Sequence, residues 1–123
     1  MHERRNDFEY GRKLAASFLA LPRRLTAFLA LNDEVAIGAL LGFQEAGLKI
    51  PRDLSLTGFN NQDISLMTAP AITTIDQNIE LTIATAADMI LAQLGAPPRT
   101  KPLVHMIAPV LVVRDSTGHV RAT

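Results

Sequence analysis

The sequence of 123 residues has no cysteine and no tryptophan, a single tyrosine, five phenylalanines and no net charge, its twelve Lys and Arg balancing twelve Asp and Glu. Without cysteine there is no disulfide framework, no thiolate nucleophile and no Cys-ligated zinc or iron–sulfur site. With aromatics at 5% against 48% hydrophobic residues, the core is expected to be aliphatic. Zero net charge gives no long-range pull on phosphates. Basic residues adjoin only as Arg4-Arg5, Arg12-Lys13 and Arg23-Arg24, which argues against a free-standing DNA-reading domain. No apolar run approaches the roughly 18 residues that cross a bilayer. The polar opening Met1–Asp7 lacks the apolar stretch of an export signal. The expected setting is therefore soluble and cytoplasmic, with no membrane partner. A chain of this length suits one domain burying roughly 68% of its unfolded surface.

Phe8, Leu14, Ala15, Phe18, Leu19 and Leu21 can share one helical face that stops at Pro22, with Gly11 weakening its first half. Thr26 to Leu31 is a short apolar run that reads as a strand buried on both faces. Asn32 and Asp33 offer caps to a helix from Glu34 to Ala46, which Gly47 and Pro51 end. Its apolar residues wrap far round, so it should be largely covered. Leu54 to Phe59 alternates Leu, Leu and Gly against Ser, Thr and Phe, the pattern of a strand with two unlike faces. Ile72 to Ile75 reads as a further strand. Asn78 is expected to cap a helix from Ile79 to Leu94, and Leu103 to Val113 is β-rich but broken by Pro109. The order predicts an α/β fold, a mainly parallel open sheet flanked by helices. In such sheets ligands collect beyond the carboxyl ends of the strands. Polar clusters stand at three such ends: Asn32-Asp33, Asn60 to Asp63, and Asp76-Gln77-Asn78.

Catalytic chemistry finds little footing. Ser17, Ser55, Ser65 and Ser116 lie in no Gly-x-Ser-x-Gly elbow, and His2, His105 and His119 sit near the termini or in the late β segment. No metal-ligand spacing occurs, so neither a catalytic nor a metal site is expected. Gly-rich phosphate loops are absent, and no cofactor is implied. Amides and carboxylates at successive strand ends can hydrogen-bond hydroxyls or heterocycle edges while doing no chemistry themselves. That favours a binding module over an enzyme. At Asn32, Asp33 and Asn78 a simple capping role competes with a binding role, and one residue can serve both.

The run TAFLALNDEVAIGALLGFQEAGLKIPRDLSLTGFNN from Thr26, then TAPAITTIDQ from Thr68 and VLVVRDSTG from Val110, resembles the effector-binding domain of the LacI/GalR family of transcription regulators. The similarity extends over Asp7 to Gly118. It implies a periplasmic-binding-protein-like type I lobe, with residues 1–75 and 105–118 in the C-terminal lobe and 76–104 normally joining the N-terminal lobe. It further implies a small-molecule effector, a sugar above all, contacted by Asn32, Asn60 and Gln77. Asp33 is expected to cap the following helix at the cleft rim, and Arg114 to be structural. Asn60 stands where the family's Gly-Phe-Asp-x pattern usually has an aspartate.

The helix-turn-helix and N-terminal lobe of a full regulator are not in this sequence, so operator DNA would be bound only through that absent part. A homodimer contact is expected at Ile37, Met67 and Thr68. Ile79, Leu81, Ile83, Ala87, Ile90, Leu91 and Leu94 lack the surface they normally meet, which predicts self-association. The competing readings are part of a periplasmic sugar-binding transport protein and a free-standing oligomeric structural protein.

Overall fold

The computed structural model describes residues 7–23, 25–97 and 101–119. Two helices lie against one side of a short sheet. Helix α1 spans Asp7–Leu19 and α2 spans Asp33–Glu45. Strand β1 (Ala27–Leu29) pairs in parallel with β2 (Ser55–Thr57), Phe28 facing Leu56. A parallel bridge from Thr57 to Thr73 carries the sheet on to β3 (Thr74–Asp76), which pairs antiparallel with β4 (Val110–Val112). A 3-10 turn, Asp63–Leu66, precedes β3, and helix α3 (Ile79–Gln93) follows it.

The expected α/β fold with parallel strands is present. The β2 alternation is also as read, with Leu54, Leu56 and Gly58 buried between half-buried Ser55, Thr57 and Phe59. Helix α2 buries eight of its residues, because α1 covers one side and the sheet the other. The core is less aliphatic than composition suggests. Phe18, Phe28 and Phe43 pack mutually edge-on with ring centroids 5.4–5.5 Å apart, an arrangement that suits the ring quadrupole. Leu40, Leu54, Leu56 and Ile72 complete the core. Concentrating three of five phenylalanines at one point lets a small aromatic complement dominate.

Gly11 has a use the helical pattern did not disclose. A Cβ there would overlap the Val35 carbonyl oxygen, and a Cβ on Gly38 would overlap that of Phe8. The two helices cross at backbone contact because each lacks a side chain where the other approaches. The closing segment is stitched to the sheet by Ser116, which is fully buried. Its hydroxyl donates to the Leu56 carbonyl over 2.6 Å and accepts from the Thr73 amide over 2.8 Å.

Three expectations are corrected. Strand β1 is not buried on both faces: Phe28 turns toward the helices, while Ala27 and Leu29 are exposed, Leu29 by 77%. Only one side of β1 is covered among the described residues. Asn78 does not cap α3 with its side chain. It adopts φ 52 and ψ 50, and its amide instead donates to the Ala108 carbonyl over 2.8 Å. The β-rich stretch from Leu103 condenses to three strand residues after Pro109.

Candidate functional site

Strand ends β1, β2 and β3 align at one edge. The Asp33 amide donates to the Phe59 carbonyl and the Asn60 amide to the Ile75 carbonyl, each over 2.9 Å. These bonds bring the segments after the three strands side by side, at the carboxyl edge where open α/β sheets hold ligands. Asn32, Asn60 and Gln77 all belong to this rim.

Asn60 and Gln77 meet directly, Gln77 Nε2 donating to Asn60 Oδ1 over 2.5 Å. The chain turns through φ 103 at Asn60 and φ 52 at Asn61, positive values that asparagine tolerates better than most side chains. Asn61 is consumed by structure. Its Nδ2 donates to Asp76 over 3.1 Å, and its Oδ1 accepts from the Arg114 guanidinium over 2.6 Å. Arg114 also donates to Ser65 Oγ over 2.7 Å and to the Ile72 carbonyl over 2.9 Å. Its geometry is that of a brace holding the loop after β2.

Asn32 is the N-cap of α2. Its Oδ1 accepts from the Val35 amide and its Nδ2 donates to Asp7, both over 2.8 Å. Asp7, the first residue of α1, thereby joins the rim, a member that sequence reading missed. The one local signal was a carboxylate at a helix start, which many helices share.

The expected capping role of Asp33 is corrected. The extended backbone at Asn32 makes that residue the cap, whereas Asp33 is already helical. With no exposure at all, the Asp33 carboxylate accepts from the Gln62 amide over 2.7 Å and the Thr74 hydroxyl over 2.6 Å. Gly58 makes room for it, since a Cβ there would overlap Asp33 Oδ1. Asp33 is thus a fastening beneath the rim.

Ile37, expected at a dimer interface, is a core residue only 7% exposed, because α2 turns that face inward. Met67 is 81% exposed, and the Thr68 hydroxyl bonds to the Ser65 and Pro70 carbonyls. Glu9, its carboxyl lowered by the hydrogen bond and charge of Lys13, and Arg52, raised by Asp53, belong to exposed flanks. An open groove of about 600 Å³ among Phe18, Leu21, Leu25 and Leu48 lies at the amino end of the strands. No group of three or more His, Asp or Glu suited to a metal occurs among the described residues. No helix among them is long and apolar enough to cross a membrane.

The strand ends after β1, β2 and β3 thus form one polar rim of an α/β domain, at the edge where open α/β sheets hold ligands. Residues 2–117 match the periplasmic binding protein-like domain. The HTH-type transcriptional regulator GalR of Salmonella typhimurium is 33% identical over 119 residues, covering 92% of this chain and 34% of the relative. A lactose operon repressor of Rhizobium radiobacter is 36% identical over 93 residues, covering 76% of this chain and 82% of that protein. Among solved structures, a LacI family transcriptional regulator from Enterococcus faecium with bound ribose superposes with a TM-score of 0.77 at 32% identity, covering 89% of this chain and 40% of that one. The chain belongs to the LacI/GalR family, within its periplasmic-binding-protein-like effector domain. It spans about a third of the GalR relative's length.

Proposed function

We propose that this chain is one lobe of the effector-sensing part of a cytoplasmic, LacI-type transcriptional regulator, supplying half of a cleft for a sugar. The observation that carries the reading is the rim itself, where strand ends far apart in sequence deliver Asn32, Asn60 and Gln77 to one edge. Residues 1–75 and 105–118 form the lobe, and 76–104 reach toward the other lobe of the parent protein. The exposure of α3 supports that division: none of its fifteen residues is buried, and Ile83, Ile90 and Leu91 are each more than half exposed. Each such side chain gains roughly 1.5–3 kcal/mol when covered.

The parent reads operator DNA through its helix-turn-helix and pairs with a second copy near Met67 and Thr68. The ribose named with the Enterococcus faecium regulator supports a sugar as effector. The regulator names of the relatives favour this role over transport and over an enzyme.

A hybrid tests the reading. This chain replaces the matched segment of the Enterococcus faecium regulator, and a panel of neutral sugars, ribose and lactose included, is titrated by calorimetry. Binding of at least one sugar is expected, with its loss in Asn60→Gly and Gln77→Ala. A folded hybrid that binds none, or binding unchanged in both variants, overturns the proposal.

A further inference from the structure

The groove at the amino end of the strands takes no part in the rim. One wall is the link from α1 to β1, carrying Leu21, Arg23 and Leu25, and the other is the link from α2 to β2, carrying Gly47, Leu48 and Asp53. Leu21 and Leu25 are 48% and 43% exposed, while Leu48 packs on the core. A Cβ on Gly47 would meet nothing within 4 Å, so the second wall is open where the chain leaves α2. The walls differ in charge. Arg12 and Lys13 are paired with Glu45 and Glu9, whereas Arg23 has no hydrogen-bond or ionic partner among the described residues. Across the groove, α2 ends without a basic residue in its last turn, and such a helix end carries about half a negative charge. Asp53 beside it is already matched by Arg52 over 2.9 Å and accepts from the Lys49 amide over 2.8 Å.

We propose that this groove is a two-fold contact between copies of the chain, in which the leucine-bearing wall of each copy enters the groove of the other and each Arg23 reaches the end of α2 in the other. A two-fold interface must be self-complementary, since the same patch is presented from both sides. A cation on one wall, a negative helix end on the opposite wall and leucines between them meet that condition. Other occupants match only part of it. An apolar molecule covers the leucines but takes Arg23 out of water without a counter-charge. An anion with an apolar tail matches Arg23 but is repelled by the end of α2. The groove shares no residue with the expected contact at Met67 and Thr68 or with α3. A second two-fold face of this kind joins pairs of chains into closed tetramers.

The test is made on the full chain carrying Ile90→Lys and Leu94→Lys, so that α3 makes no contribution to association. Backbone amide signals are followed by NMR over a dilution series, with sedimentation read in parallel. The signals of Leu21, Leu25 and Leu48 should move with concentration as the mass rises, while that of Asn60 stays in place. Leu21, Arg23 and Lys49 are exposed, so substitutions there leave the fold intact. Arg23→Glu should weaken the association about fivefold and Leu21→Ser about tenfold, whereas Arg23→Lys should largely keep it. High salt should weaken it too. The cysteine-free sequence accepts a single spin label at Lys49→Cys, on the α2 side of the groove. Mixed with an isotope-labelled copy, the labelled chain should broaden the Leu21 and Arg23 signals of that copy. Groove signals that stay fixed across the series, association equally strong in Arg23→Glu, or no broadening at Leu21 and Arg23 overturns the proposal, and each of these results leaves the sugar-site reading untouched.

Discussion

The Thr74 hydroxyl donates to the Asp33 carboxylate over 2.6 Å with neither side chain exposed, tying the end of β1 to β3 across the gap left by Gly58. Both groups are removed from water, so each depends on the other. Asp33→Ala strands the Gln62 amide and the Thr74 hydroxyl together and should cost about 2–5 kcal/mol. Thr74→Val strands one carboxylate oxygen and the Asn61 amide, which donates to the Thr74 hydroxyl over 3.3 Å, and should cost about 1–3 kcal/mol. Urea denaturation of both single variants and the double variant checks the pairing. The losses should fail to add by about 1 kcal/mol or more, and simple additivity would contradict a shared bond.

The crossing of α1 and α2 makes a prediction opposite to helix propensity. In an exposed helix Gly→Ala gains about 1 kcal/mol. At Gly38 the new methyl would occupy the space of the Phe8 carbonyl, and at Gly11 that of Val35. Backbone cannot swing aside as a flexible side chain can, so the helices must part. Gly38→Ala and Gly11→Ala should each destabilise by about 1–3 kcal/mol, read as a lowered thermal midpoint. Gly47→Ala should also destabilise, for a different reason: its surroundings are open but its φ is +83, where a methyl is strained.

Local chemistry made some of this architecture legible. Gly47 has the positive φ its place after α2 suggested, and the β2 alternation was visible because each residue's facing is set by its neighbours' period of two. What could not be read depends on partners distant in the chain. Nothing near Leu29 says that one side of β1 is uncovered. Nothing near Asp33 says that its carboxylate meets Gln62 and Thr74, and nothing near Asn32 names Asp7. The strand-end rule located Asn60 and Gln77 on one rim, but their mutual bond exists only once β2 and β3 lie together.

Arg114 shows the same dependence on distant partners and gives a sharp substitution. Its planar fork reaches Ser65, Ile72 and Asn61 in three directions, which one ammonium cannot reproduce. Arg114→Lys should cost about 1–3 kcal/mol although charge is kept. The Asn61 side-chain amide signals should move as well, since that residue loses its brace. A stability and an Asn61 environment both unchanged would contradict the bracing role.

Helix α3 should behave unlike the buried apolar core around α2. Leu40, 2% exposed in α2, is held by core contacts, and Leu40→Ala should cost about 2–5 kcal/mol. Ile90 and Leu94 are 63% and 71% exposed, so Ile90→Lys and Leu94→Lys should alter the stability of the isolated chain by no more than about 0.5 kcal/mol. Their effect should appear in association instead. Apolar side chains left in water favour contact between copies, and light scattering over a concentration series should show mass rising for the parent sequence and less so for the double lysine variant. If Ile90→Lys unfolds the chain as readily as Leu40→Ala does, α3 packs within its own lobe. If the mass stays that of a single compact chain throughout, the exposed face does not drive association.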